Sequence, residues 1–281
     1  ALIPTLLQDH ELTLTSRSTG EPIHHLQITP LLLEDPSACA SFIMTIRPDL
    51  IVNTAAISLP DYAEDHRKET QLANVVAVEN LIASCKMLNI PLVHLSTDYV
   101  FSGENPPYLE TSERNPVNFY GSTKKEAEDL ILASGIEYLI CRTTLLYGLK
   151  QAHHRGNPFI SVYEPLNAGL PIKASSVHTT SPTLVYDLAD GIKSLIKKKA
   201  RGIYHTAGSE SCSRLNFANS IAEIFGFNKN LIQPMENLPQ RATRPKDSTL
   251  NVLKMKIDHG LLFKNVHDGL FQCKKMLDKI K

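Results

Sequence analysis

The chain has 281 residues, 42% of them hydrophobic, and its 29 basic side chains balance 29 acidic ones. That is enough apolar material for a full core, as one large domain or a domain with a lobe. The dispersed, balanced charge excludes a nucleic-acid groove, and no apolar stretch approaches the roughly 20 residues that would cross a membrane.

In chain order, Ala1 to Leu7 reads as a helix and Glu11 to Thr15 as a strand ending at Ser16-Arg17-Ser18. Pro36 to Ile46 follows as a helix, Leu50 to Asn53 as a strand, and Lys68 to Leu88 as a helix carrying Leu72, Val75, Val76, Val78, Leu81 and Ile82 on an apolar face. Leu92 to Leu95 is a strand buried on both faces. After it come Ser96-Thr97-Asp98, the turn Asn115-Pro116-Val117-Asn118, and a helix running from Tyr120 past Glu126 to Leu132. Tyr138 to Cys141 is a further strand, which Arg142 anchors to the following loop. Regular alternation of this kind predicts an α/β fold with a doubly wound parallel sheet.

Beyond Gly148 the pattern loosens. Gln151 to Pro158 reads as a mobile loop whose adjacent His153 and His154 cannot share a helix face, and no metal site is expected. Helices are predicted over Phe159 to Leu166, Asp187 to Lys197, Asn216 to Phe225 and Val266 to Ile280. Residues 1–150 are expected to form a nucleotide-binding domain to which 177–206 return. Residues 151–176 and 207–281 would form a small lobe over the substrate.

The candidate chemistry lies between Thr97 and Lys124. A Tyr and a Lys four residues apart share one helix face, so the ammonium of Lys124 could favour ionisation of Tyr120. An unperturbed phenol, with a pKa of about 10, exchanges protons poorly at neutral pH. Thr97, at the carboxyl end of an apolar strand, is placed to hold a substrate oxygen. The bare Tyr-x-x-x-Lys pair is weak evidence; the strand before it and the turn delivering the helix carry the weight.

Several segments then resemble one family. They are Leu50 to Ala56, Asp61-Tyr62-Ala63-Glu64, Ser96 to Gly103, Asn115 to Lys124, Arg142 to Gly148, Pro182-Thr183 with Asp187-Leu188-Ala189, Gly202 to Gly208, and Arg244 to Ser248. Together they are similar to the extended short-chain dehydrogenases of the dTDP-4-dehydrorhamnose reductase type, over nearly the whole chain. The resemblance implies a Rossmann-type fold and the NADPH-dependent reduction of a 4-keto-deoxysugar nucleotide, dTDP-4-dehydro-L-rhamnose to dTDP-L-rhamnose. It implies Thr97, Tyr120 and Lys124 as catalytic, with Lys124 also on the nicotinamide ribose. Arg17, Asn53, Ala55, Ala56 and Ser96 would join Tyr120 and Lys124 along the cofactor, Asn74 would support them, and Tyr99, Phe101 and Asn157 would line the sugar pocket.

Arg17 stands where NAD-selective enzymes carry an acidic residue. NADPH is therefore preferred, with NADH left open. No G-x-x-G-x-x-G precedes Glu11, so the expectation is that a first strand and glycine loop, roughly 15 residues on the family pattern, are missing from the sequence as it stands. Cys39, Cys85, Cys141, Cys212 and Cys273 are odd in number and form no C-x-x-C, which together with the lack of a signal pattern points to reduced thiols in a cytoplasmic protein. The nucleotide-sugar is the expected partner, and a homodimer is left open.

One departure keeps a second reading alive. The rhamnose enzymes commonly carry a Trp where Leu145 stands, and this chain has no Trp. A non-catalytic relative, the regulatory beta subunit of methionine adenosyltransferase, also has an aliphatic residue there, and its Asn-Pro-Pro-Tyr stretch resembles Asn105-Pro106-Pro107-Tyr108. A cofactor-binding regulatory subunit is the alternative.

Overall fold

The computed structural model describes residues 1–149, 156–236 and 240–279. Its first half contains α1 (Leu2–Leu6), β1 (Leu14–Ser16), β2 (Ile28–Pro30), α2 (Pro36–Ile46), β3 (Ile51–Asn53), α3 (Pro60–Asp65), α4 (Arg67–Gln71), α5 (Ala77–Leu88), β4 (Leu92–Thr97), α6 (Phe119–Ala133) and β5 (Tyr138–Thr143). After these come β6 (Leu146–Tyr147), α7 (Ile160–Asn167), β7 (Ile172–Ser175), β8 (Thr179–Thr180), β9 (Thr183–Leu184), α8 (Val185–Lys197) and β10 (Gly202–His205). The chain continues through β11 (Cys212–Ser213), α9 (Arg214–Phe225), β12 (Ile232–Met235), α10 (Leu253–His259) and α11 (Val266–Asp278).

The central sheet has the order β10-β5-β4-β3, and every neighbouring pair is parallel. Side chains alternate across each strand, and the core divides accordingly. Leu92 and Ile140 face Val78, Ile82, Ala127 and Ile131 of α5 and α6. Val93, Leu139 and Cys141 face Leu188, Ile192 and Leu195 of α8, together with Met255 and Phe263. Helices on both faces explain why the strands read as unbroken apolar runs. Met255 and Phe263 come from the stretch expected in the lobe, yet they pack against the sheet.

A separate core cluster brings together Tyr147, Phe159, Leu184, Phe217, Ile221, Val266 and Leu270, so residues from both expected parts of the chain share it. Strands β1 and β2 pair in parallel with each other, apart from the main sheet. A groove of about 710 Å³, lined by Leu12, Leu14, Leu50 and Val52 among others, separates β1 from β3. Among the described residues, no helix is long and apolar enough to cross a membrane.

Two local features position the site. Asn118 caps α6, its side-chain oxygen accepting from Gly121 N at 2.8 Å. The segment predicted as one helix from Lys68 to Leu88 is interrupted by a π turn at Leu72–Val76. Such turns recur at functional sites, and this one carries Asn74. The amide of Asn74 accepts from Ile57 N at 2.7 Å and donates to Ile57 O and Thr123 Oγ1, each at 3.0 Å. It thereby clamps the loop after β3 to α6.

Candidate active site

Thr97, Tyr120 and Lys124 come together at the carboxyl edge of the sheet, and all three are buried. The Thr97 hydroxyl stands beside the Tyr120 phenol, and Tyr99 packs edge-on against Tyr120 with ring centroids 5.9 Å apart. Burial raises the Tyr120 pKa above the ordinary phenol value, with Thr97 opposing the shift.

Lys124 differs from expectation. Its Nζ donates to Leu95 O at 2.7 Å and lies 2.9 Å from His94 Nε2, so it turns toward β4 and does not figure among the influences on the Tyr120 pKa. The expected lowering of the phenol pKa by the ammonium is therefore corrected: in this geometry burial dominates. Burial also pulls the Lys124 pKa down to about 8, against the opposing charge of Glu128.

Asn53 is buried at the end of β3, and its side-chain oxygen accepts from Ala55 N at 3.0 Å, shaping the turn that exposes Ala55 and Ala56. Those alanines, with Ser16, Arg17, Tyr62, Ala73 and others, line a cavity of about 550 Å³. Arg17 is already engaged there, since it pairs with Glu69 at 2.8 Å and Glu34 at 3.2 Å.

Three assigned residues sit otherwise than expected. Phe101 has no exposed surface and stacks on Tyr108 with centroids 4.2 Å apart, while the Arg142 guanidinium lies 5.1 Å from its ring centre. It is a core residue, because the chain turns inward after the 3₁₀ turn Asp98–Val100. Ser96 directs its hydroxyl to Glu128 Oε1 at 2.5 Å, away from the cavity beside Arg17. Asn157 is occupied locally, donating to Gly148 O at 3.0 Å and accepting from Phe159 N and Ile160 N at the start of α7. The half-buried Tyr99 stays beside Tyr120, and Arg142 ties β5 to α6 instead of to the following loop, bonding Glu128 through Nε at 3.0 Å and Nη2 at 2.7 Å. His153 and His154 lie outside the described residues.

The structure adds residues that sequence reasoning missed. Asp98 is buried and accepts from the hydroxyls of Thr97, Thr144, Thr180 and Ser248, tying the end of β4 to segments far along the chain; burial raises its pKa. Arg214, at the start of α9, is half-buried with its guanidinium near Tyr99 and Arg244, and among the described residues no hydrogen bond or ion pair engages that guanidinium. Arg244 pairs with Asp61 at 3.0 Å. The only local signal for these two arginines was the resemblance around Arg244.

Gly121 gives one direct prediction. A Cβ at this position would overlap the Tyr99 carbonyl oxygen, so Gly121→Ala must push the first turn of α6 off the Asp98–Val100 turn. Thermal unfolding should report a loss of roughly 1–3 kcal/mol, and kcat should fall with it because Tyr120 moves. Unchanged values in both would show that the contact is not tight.

A doubly wound parallel sheet with Thr, Tyr and Lys grouped at its carboxyl edge is the build of the extended short-chain dehydrogenases/reductases, a class of NAD(P)-dependent oxidoreductases. Within that class, the chain belongs to the family described as RmlD substrate binding domain, whose model matches residues 8–279. It is 30% identical to methionine adenosyltransferase 2 subunit beta of Xenopus tropicalis, over 80% of this chain and 69% of that one. It is 29% identical to the dTDP-4-dehydrorhamnose reductase of Escherichia coli K12, over 88% and 84%. A solved dTDP-4-dehydrorhamnose reductase from Bacillus anthracis, in complex with NADP, superposes with a TM-score of 0.82 at 27% identity, covering 90% of this chain and 91% of that one.

Proposed function

We propose that the protein reduces the 4-keto group of a deoxysugar nucleotide, with dTDP-4-dehydro-L-rhamnose as the preferred substrate and NADPH as the reductant. The observation that carries this reading is the grouping of Thr97, Tyr120 and Lys124, with two arginines suited to a diphosphate, Arg214 and Arg244, near the adjoining Tyr99. NADPH supplies the hydride when bound. Tyr120 gives its phenolic proton to the carbonyl oxygen, Thr97 holds that oxygen by a hydrogen bond, and Lys124 holds the nicotinamide ribose.

The alanine-lined cavity beside Arg17 fits a cofactor in size and in the close approach its small side chains allow. Glu34 and Glu69 share the Arg17 guanidinium, so its Nε edge and any displaced Nη would meet a 2′-phosphate. Arg17→Ala should weaken NADPH binding by roughly 1.5–3 kcal/mol and leave NADH almost unchanged. Equal losses for both cofactors in a fluorescence titration would remove Arg17 from the phosphate site. All five cysteines are free thiols and four of them are buried, which supports a reducing compartment such as the cytoplasm.

The likeness to the methionine adenosyltransferase subunit, with Leu145 in place of an aromatic residue, favours a second reading as a regulatory subunit. NADPH consumption with freshly generated dTDP-4-dehydro-6-deoxy-L-mannose tests the first reading. Stable co-purification with a methionine adenosyltransferase, without turnover, would favour the second.

A further inference from the structure

The ladder between β3 and β4 sets Asn53 directly opposite His94, so their side chains leave the sheet on the same face. Lys124 reaches that face from α6. The three side chains form a buried row: Asn53 Nδ2 lies 3.2 Å from His94 Nδ1, and His94 Nε2 lies 2.9 Å from Lys124 Nζ. His94 has no exposed surface, and Lys124 is 2% exposed.

The proton positions along this row follow from its ends. Ala55 N–H is bonded to Asn53 Oδ1 at 3.0 Å. Turning the Asn53 amide over would set one donor against another there, so Nδ2 must face the imidazole. Nδ1 of His94 then has to accept, and a neutral imidazole carries its single proton on the other nitrogen. His94 therefore presents Nε2–H to Lys124. A neutral amine accepts that bond with its lone pair and still donates to Leu95 O at 2.7 Å. An ammonium would set two donors face to face.

We propose that His94 is a positioning residue that controls the charge of Lys124: Asn53 locks the imidazole as its Nε2–H tautomer, and that N–H favours the neutral amine of the lysine over its ammonium. The assignment of Lys124 to catalysis rests on the proposed reductase function, but the tautomer does not. The ionisable groups facing Lys124 are His94 on β4 and Glu128 one turn along α6. Glu128 favours the ammonium, whereas burial opposes it, which agrees with the lowered pKa of Lys124. Burial likewise keeps His94 unprotonated.

Two measurements on the full-length protein test the proposal. In nitrogen-15 NMR of histidine-labelled protein, with the His94 signals assigned by their loss in His94→Leu, the wild type should show Nε2 protonated and Nδ1 bare. Asn53→Asp offers a carboxylate to both Ala55 N and Nδ1, and should move the proton to Nδ1. A wild-type Nδ1–H tautomer overturns the proposal whatever the enzyme does.

In kcat/KM against pH, the ammonium is the active form, so activity should fall as pH rises through the Lys124 pKa. Asn53→Asp should move that alkaline limb up by about one unit or more, and Asn53→Asp/His94→Leu should lose most of the shift. A double variant that shifts as far as the single one would show that the carboxylate acts by direct charge alone, and would overturn the role of His94. If no reduction is detected at all, the reductase reading fails while the NMR result still decides the tautomer.

Discussion

Tyr120→Phe should lower turnover by on the order of 10²- to 10⁴-fold and change NADPH affinity by only a few fold. The ring keeps its edge-on contact with Tyr99, and only the hydroxyl beside Thr97 is lost. Steady-state kinetics and a cofactor titration on the same preparation separate these two effects. Turnover within a few fold of wild type would take Tyr120 out of the mechanism. A matching loss of cofactor affinity would mean that the substitution disturbs the fold around α6.

The largest stability effect is expected at Glu128. Its carboxylate receives Arg142 through two bonds, Arg114 at 3.0 Å and Ser96 at 2.5 Å, and neither Glu128 nor its nearest partner is solvated, with side chains 0% and 1% exposed. Glu128→Ala leaves the Arg142 guanidinium buried without its counter-charge, which should cost roughly 3–5 kcal/mol. Denaturant unfolding measures this, with Glu128→Gln, which keeps the shape and part of the bonding, losing less. The same change removes the charge that favours the Lys124 ammonium. In any variant stable enough to assay, the alkaline limb should therefore move to lower pH, opposite to the shift expected for Asn53→Asp. A Glu128→Ala protein as stable as wild type would mean that water reaches Arg142.

What could be read from the sequence was whatever depends on neighbours along the chain. The Tyr120/Lys124 spacing, the turn from Asn115 to Asn118 and the apolar run from Leu92 each declare themselves within a few residues. The helix over 36–46 was equally legible, and the structure starts it at Pro36 behind an Asp35 cap. The π turn at Leu72–Val76 was hidden, since one extra residue in a turn barely disturbs an apolar face. The Asp98 hydroxyl ring joins positions 46, 82 and 150 residues apart, and the Asn53–His94–Lys124 row depends on strand register. No local pattern encodes either. Phe101 was misplaced for a related reason: an aromatic residue after a strand reads the same whether the next turn faces a pocket or the core.

The central claim is hydride transfer to a sugar carbonyl, and a single-turnover reaction with stereospecifically 4-deuterated NADPH tests it most directly. Both 4-deuterated epimers are used, each with the full-length protein and dTDP-4-dehydro-6-deoxy-L-mannose. Mass spectrometry and proton NMR should find one deuterium, from one epimer only, on the former carbonyl carbon of the reduced sugar. NADPH that binds tightly and is recovered with its deuterium, beside unreduced sugar nucleotide, would contradict the account.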